Sequence, residues 1–195
     1  QLGMFEKEDW LYRLMMGKTL LFPSEMAQKY TTLTYAVDVA AAIKELIANH
    51  NAYGEAFHIT TTEQITWENV VKNYMNIIYN ETGQFGAIKY WDQIEDFYDI
   101  WNQYQIKYDC IYDRRFDNSK LNRITNNQIT YTSFMEGSSK CLTEFIRNPI
   151  WRAINWKLNL WMDQKMNEKL RFGDIIGFKE KLRYLRYSIK RSFEL

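Results

Sequence analysis

The clearest hydrophobic pattern in the chain runs from Thr31 to His50. Its first part, Thr31–Ala36, is rich in β-branched and aromatic residues and predicts a strand. Four apolar residues then recur at helical spacing and predict a helix: Val39, Ala40, Ile43 and Ile47. Asp38 stands at the junction, where a carboxylate accepts hydrogen bonds from the free amides of a helix's first turn. We therefore expect Asp38 to cap this helix.

Elsewhere the pattern predicts further helices that alternate with short strands. The predicted strands are Lys18–Phe22, Ala56–Ile59 and Ala87–Trp91. The predicted helices are Met4–Met16, a helix from Thr66, a helix after Trp91, and a helix from Thr132 or Ser133 to Asn148. The helix from Thr66 has one long apolar face, made of Trp67, Val70, Val71, Tyr74, Ile77 and Ile78. The chain is therefore expected to have an α/β fold of the α+β kind, with several helices around a few short strands.

The last part of the chain, residues 150–195, has a pattern and a charge of its own. One apolar stripe comprises Ile150, Trp151, Ile154, Leu158 and Trp161, and a second comprises Phe178, Leu182, Leu185, Ile189 and Phe193. The second stripe is accompanied by Lys179, Lys181, Arg183, Arg186, Lys190 and Arg191. Such a basic amphipathic helix docks on its own domain, lies on an anionic membrane surface or binds nucleic acid. We expect two units, 1–149 and 150–195.

Composition narrows the class of protein. Apolar residues make up 46% and charged residues 25%, which is typical of a globular chain. Residues 147–195 hold 12 Lys/Arg and 5 Asp/Glu, so this part is basic while the remainder is acidic. Two Cys and two His without ligand spacing argue against a metal site and favour reduced thiols in a cytoplasmic protein. No apolar run reaches the length of a membrane span, and no signal peptide opens the chain.

Several segments carry motifs in a recognisable order. Arg13-Leu14-Met15-Met16-Gly17-Lys18 is followed by the segment around Asp38-Val39-Ala40, by GEAFHITTTEQITWE from Gly54, by Phe116-Asp117-Asn118-Ser119-Lys120, and by YTSFMEG from Tyr131. Together these segments resemble the substrate-binding, C-terminal half of extended short-chain dehydrogenase/reductases, the NAD-dependent epimerase/dehydratase family. The resemblance covers roughly residues 5–148. It implies a parent enzyme that acts on nucleotide sugars, linked to UDP or dTDP.

The resemblance also implies roles for individual residues. Leu20 and Phe22 would line the pocket for the nucleotide base, although a buried strand pair explains them equally well. Thr31 stands where epimerases of the family place an Arg that grips the diphosphate. Arg114 and Arg115 would take over phosphate binding, or else form surface salt bridges. These five residues are the predicted substrate site.

Two features of the family's chemistry are missing from this sequence. It contains neither a Gly-rich strand-turn-helix for the cofactor pyrophosphate nor a Tyr-x-x-x-Lys pair for proton transfer. The chain also opens on Gln1 rather than Met. We therefore expect a piece of a longer protein, with NAD or NADP, the Rossmann part and the catalytic residues elsewhere in the parent. This piece alone is expected to bind no cofactor or metal and to catalyse no hydride transfer.

Two further expectations follow from these features. A wall built to pack against a dinucleotide-binding domain would leave an apolar face exposed, so we expect self-association. The alternative function is a non-catalytic member of the superfamily that serves as a binding platform for RNA, a membrane surface or a protein partner. The Thr at position 31 and the long basic tail favour that alternative.

Overall fold

The computed structural model describes residues 7–98, 100, 103–175 and 177–192, with the side chains of 103 and 190–192 excluded. The fold is mixed α/β, mostly helical with a few short strands, as the hydrophobic pattern predicts. The predicted first residues of the opening helix, Met4 to Glu6, lie outside the described residues, as do Trp101 and Phe193.

Four short strands form two separate pairs. The strands are β1 (Thr19–Pro23), β2 (Tyr30–Thr31), β3 (Ile65–Thr66) and β4 (Ala87–Trp91). Strands β1 and β4 are parallel, in a register that pairs Leu20 with Ile88 and Phe22 with Tyr90. Strands β2 and β3 are antiparallel. Strand β4 has its predicted bounds, and β1 is shifted by one residue.

Nine α-helical segments surround these pairs in the described part of the chain. They are α1 (Tyr12–Met15), α2 (Ser24–Ala27), α3 (Ala36–Ile47), α4 (Trp67–Thr82), α5 (Gln103–Gln105), α6 (Ser119–Ile124), α7 (Phe134–Arg147), α8 (Trp156–Met166) and α9 (Phe178–Ser192). A π-helical segment, Lys7–Leu11, leads into α1, and another, Ile106–Cys110, follows α5. Three 3₁₀ turns are His50–Ala52, Ile94–Phe97 and Phe172–Asp174.

Helix α4 is the centre of the core and confirms its predicted apolar face. All six predicted positions are buried: Trp67, Val70, Val71, Tyr74, Ile77 and Ile78. The Thr66 hydroxyl caps the helix by accepting from the Asn69 amide at 3.3 Å, and Gly83 follows its last turn with φ 70°. Thus both the apolar spacing and the end signals of this helix can be read in the sequence.

Two predicted strands are wrong. Of Thr31–Ala36 only Thr31 is in a strand, and Ala56–Ile59 has no strand at all. A side-chain hydrogen bond takes the place of a ladder here: the hydroxyl of Thr34, within the first segment, accepts from the amide of Thr61, just after the second, at 3.1 Å. Such side chain to backbone bonds compete with sheet pairing, which propensity alone does not reveal.

Asp38 does not cap its own helix, so that prediction is also wrong. Helix α3 begins two residues earlier, at Ala36, and has no side-chain cap. The Asp38 carboxylate is buried and accepts from the Thr132 amide at 2.6 Å and from the Thr132 hydroxyl at 3.0 Å. It therefore joins the start of α3 to the segment that leads into α7.

The C-terminal segment packs into the body of the protein. Leu158 and Met162 of α8 are fully buried in the main core. Helix α9 rests on α8, since the Glu180 carboxylate accepts from Trp156 Nε1 at 2.8 Å. Contacts therefore cross the proposed boundary at residue 149. Within the described residues no helix is both long and apolar enough to cross a membrane.

Asp9 provides a test of this packing. It is only 4% exposed, and burial, reinforced by the charge of Glu8, raises its pKa to about 7, although a hydrogen bond to Asn155 opposes the rise. The folded state therefore holds a proton that the unfolded state releases between about pH 4 and 7. Stability must fall as the pH rises through that range.

We expect Asp9→Asn to be more stable than the unmutated chain at pH 8 by on the order of 3 kcal/mol, and we expect this difference to vanish near pH 4. Urea unfolding of both proteins at several pH values measures this. A difference that is independent of pH would contradict a buried, protonated Asp9.

Candidate functional site

Arg114 and Thr31 meet where a loop runs beside strand β2. The Arg114 amide donates to the Tyr30 carbonyl at 2.9 Å, and the Tyr30 amide donates to the Asp113 carboxylate at 2.9 Å. The Thr32 hydroxyl donates to the Arg114 carbonyl, also at 2.9 Å. The loop is thus held along β2 much as a further strand would be, which fixes the backbone of both arginines.

The Arg114 side chain is held on several sides. Its guanidinium donates to the Thr31 hydroxyl and, through Nη1, to the Asp109 carboxylate at 2.9 Å. The guanidinium also lies 4.9 Å from the centre of the Trp67 ring, within the range of a cation–π contact. A planar group that is both stacked and hydrogen-bonded keeps one orientation, which a lysine at this position could not match.

Two buried N–H groups at this place have no hydrogen-bond partner among the described residues. They are Arg114 Nε and Trp67 Nε1. Buried donors are nearly always satisfied in proteins, by protein, by water or by a ligand. Both donors require an acceptor, such as the oxygen of a water molecule or of a phosphate.

Arg115 is the more accessible of the two arginines. Its side chain is 56% exposed and lies over the Tyr30 ring at 5.0 Å. The nearest carboxylate oxygen, on Asp113, is 3.7 Å away, which is beyond hydrogen-bond distance. Both arginines therefore have an acidic neighbour, but only Arg114 is tightly paired.

Leu20 and Phe22 are placed differently from the other predicted site residues. Both are in β1 and are at most 1% exposed. Phe22 packs edge-on against Trp10 at 5.2 Å, and Trp10 packs edge-on against Trp67 at 5.7 Å. These rings connect Phe22 to Arg114 through the core. Leu20 and Phe22 present no surface to a ligand in this conformation, and their role in a base pocket stays a prediction.

The structure thus brings three of the five predicted residues together, namely Thr31, Arg114 and Arg115. It adds Trp67, Tyr30 and the acidic neighbours, which the sequence did not single out. Trp67 looked like an ordinary member of an apolar helix face. The closeness of Asp113 to Arg115 in sequence was the available signal for one of these pairs, whereas Asp109, the partner of Arg114, lies five residues upstream of it.

The segments that carry the family motifs contact one another through polar side chains. The Glu63 carboxylate accepts from the Phe134 amide at 2.6 Å, and Asn118 Nδ2 donates to the Thr60 carbonyl at 2.8 Å. A hydrogen bond of 2.8 Å from the amide of Ser119, the first residue of α6, lowers the pKa of Asp117. The contacts of Glu63 and Asn118 bring together segments that are distant in sequence.

A close contact explains the glycine in one of these motifs. Gly137 is in α7 beneath the Tyr35 ring, and a Cβ there would come within 3.2 Å of that ring. Ser133, one of the two predicted caps, accepts from the Glu136 amide at 3.3 Å and confirms the start of this helix. The motif YTSFMEG is thus explained by a helix cap and a ring contact.

A separate cleft of about 290 Å³ lies between the turn after α1 and the loop after α8. Its lining is mostly charged and comprises Met16, Gly17, Lys18, Glu168, Lys169, Leu170, Arg171 and Asp174. None of the five predicted substrate residues lines it. Across the described ranges no group of three or more His, Cys, Asp and Glu is arranged to hold a metal ion.

Comparison with protein-family models, with curated proteins and with solved structures found no match. The family assignment therefore stays a prediction that depends on the motifs quoted above.

Proposed function

We propose that this chain is the substrate-binding half of an NAD(P)-dependent nucleotide-sugar epimerase or dehydratase. The observation that carries the proposal is the contact between Arg114 and Thr31. The resembled enzymes place a diphosphate-gripping Arg at the position of Thr31. Here a guanidinium reaches the same position from a different part of the chain. Arg114 would thereby replace the Arg that the resembled enzymes have at the position of Thr31.

The hydrogen bonds between the motif segments support the same proposal. Asp38 binds the Thr132 amide, and Glu63 binds the Phe134 amide, so three motif segments meet at the start of α7. Such contacts are expected if the motif segments belong to one substrate-binding fold.

Two adjacent guanidiniums suit a diphosphate. Arg114 is preorganised by its stack and hydrogen bonds, while Arg115 is free to turn from Asp113 toward an anion. Arginine binds phosphate oxygens in a bidentate way, and an oriented guanidinium loses little entropy on binding. In this account Arg114 shapes the site and Arg115 supplies the exposed charge that contacts the ligand.

The apolar outer face of α3 supports a second domain in the parent protein. Val37, Ile43 and Ile47 are 60%, 44% and 70% exposed, and the helix buries only Asp38 and Ala42. An amphipathic helix of a complete domain normally turns its apolar side inward. A dinucleotide-binding domain packed on α3 would cover this face.

The described residues do not fit NAD(P). Strand β1 leads through Pro23 into α2, which has four residues, whereas a dinucleotide site has a glycine turn and a long helix after its strand. The cofactor would supply hydride transfer when bound elsewhere in the parent. The residues of this chain would bind and orient the nucleotide part of the substrate.

A second candidate function is a non-catalytic binding platform for RNA or a protein. The pairing of Arg114 with Asp109, and the nearness of Asp113 to Arg115, favour the protein partner because they reduce the positive charge available to any phosphate, whether in a diphosphate or in RNA. The two functions differ in their ligand, so a titration separates them.

Calorimetric titration of the chain with UDP, a UDP-sugar, a dTDP-sugar and NAD tests the proposal. We expect one or more of the UDP and dTDP compounds to bind and NAD not to bind. Arg115→Ser should weaken that binding about tenfold or more, because it removes a charge-assisted hydrogen bond.

The matched control is Arg171→Ser, which removes an arginine from the separate cleft and should leave the affinity unchanged. Absence of binding by every nucleotide would contradict the proposal. So would binding that survives Arg115→Ser but is lost in Arg171→Ser.

The α3 face gives a further expectation. In isolation the chain should self-associate through this face, and Ile43→Asp with Ile47→Asp should shift it toward the monomer because charges cannot be buried there. Sedimentation velocity at several concentrations measures the change. Leu182→Asp on α9 serves as the control. The role of α3 would be contradicted if the unmutated chain were monomeric, or if the α3 and α9 variants had equal effects.

A further inference from the structure

Helix α9 is fixed in one rotational position on the body. Its Glu180 carboxylate accepts from Trp156 Nε1 at 2.8 Å, and its Tyr184 ring packs edge-on against the Trp156 ring at 5.2 Å. Trp156 itself is 1% exposed. The side of α9 that carries Glu180 and Tyr184 therefore faces the protein.

This attachment leaves the apolar stripe of α9 on the outside. Phe178, Leu182, Leu185 and Ile189 are 77%, 51%, 40% and 56% exposed. Their spacing of four, three and four residues places them in one line along the helix. A docked helix would ordinarily use such a stripe for docking, but α9 is attached through the opposite side.

Basic residues flank the stripe. By helical geometry Lys179 and Arg186 lie along one side of it. On the other side the Lys181 ammonium lies 5.5 Å from the centre of the Phe172 ring, which is itself 45% exposed. In residues 169–192 eight Lys/Arg stand against two Asp/Glu, and one of those two, Glu180, pairs with Arg183.

Charge complementarity identifies the occupant of this surface. A second copy of the helix would bring two basic flanks together, which is unfavourable. Nucleic acid would neutralise the flanks but would leave the aliphatic stripe in water. An anionic bilayer interface offers both an acyl boundary for the stripe and phosphate or carboxylate headgroups for the lysines and arginines.

We propose that α9 is a membrane-surface helix that binds anionic phospholipid. It lies parallel to the bilayer with Phe178, Leu182, Leu185 and Ile189 inserted and with Lys179 and Arg186 at the headgroups. The Trp156 contacts hold the body of the protein on the aqueous side. This inference is independent of the nucleotide-binding proposal, because no residue is shared between the two surfaces.

Flotation of the full chain with lipid vesicles tests the proposal. Vesicles of phosphatidylcholine with about 30% phosphatidylserine should carry the protein upward, and vesicles of phosphatidylcholine alone should not. Leu182→Asp should weaken binding to the anionic vesicles at least about tenfold, since it places a charge in the inserted stripe. Ile150→Asp, an equal change at an exposed isoleucine outside both α3 and α9, should have no effect.

Lys179→Glu with Arg186→Glu, together with raised salt, tests the electrostatic part. The double variant should weaken the binding because it places negative charges beside anionic headgroups. Raised salt should weaken it because salt screens surface charges. These positions are exposed, so the melting temperatures of all variants should match that of the unmutated chain. Equal binding to neutral vesicles, no binding to either, or retention by Leu182→Asp would overturn the proposal. Tight binding of a single-stranded RNA oligonucleotide that competes with vesicles and survives Leu182→Asp would overturn it in favour of nucleic acid.

Discussion

The buried guanidinium of Arg13 joins helix α1 to helix α8 and to the loop after it, and the rest of the structure depends on this contact. It is wholly inaccessible, and it contacts Asp163 at 2.6 Å and Glu168 at 2.7 Å. Its Nε also donates to the Thr19 carbonyl at the start of β1. Lys18 adds a second cation at 2.7 Å from Asp163, so two positive and two negative groups balance. A buried ion that loses its partner costs about 3–5 kcal/mol, so the group must be kept complete.

This ion cluster determines where the candidate site can form. It fixes β1 between α1 and α8, and β1 in turn supports Phe22, Trp10 and Trp67 in edge-to-face contact. Trp67 is the platform on which Arg114 lies. The surface chemistry at Thr31 and Arg114 is therefore built on a rigid aromatic core. A preorganised cation of this kind contributes more to recognition than a mobile lysine would.

Local signals in the sequence predicted the elements whose stability is local. Helix α4, strand β4 and the Ser133 cap could be read from spacing, turn residues and capping chemistry. The same signals failed for Asp38, whose partner Thr132 is distant in sequence, and for Ala56–Ile59, which finds no strand to pair with. Arg13 gave no hint of its partners, because Asp163 and Glu168 are far along the chain. Long-range polar contacts are the part of this fold that pattern reasoning could not supply.

The α3 face carries one exposed cation, Lys44, among its apolar residues, so it is less charged than the surroundings of the α9 stripe. The α9 stripe is flanked by cations, as expected where an anionic interface covers it. An NMR titration of the ¹⁵N-labelled chain with UDP locates the candidate site of Thr31, Arg114 and Arg115 directly. The largest shifts are expected at the amides of Thr31, Arg114 and Arg115 and at Arg114 Nε. Shifts confined to the cleft of Lys18 and Arg171, or no shifts at all, would contradict this expectation.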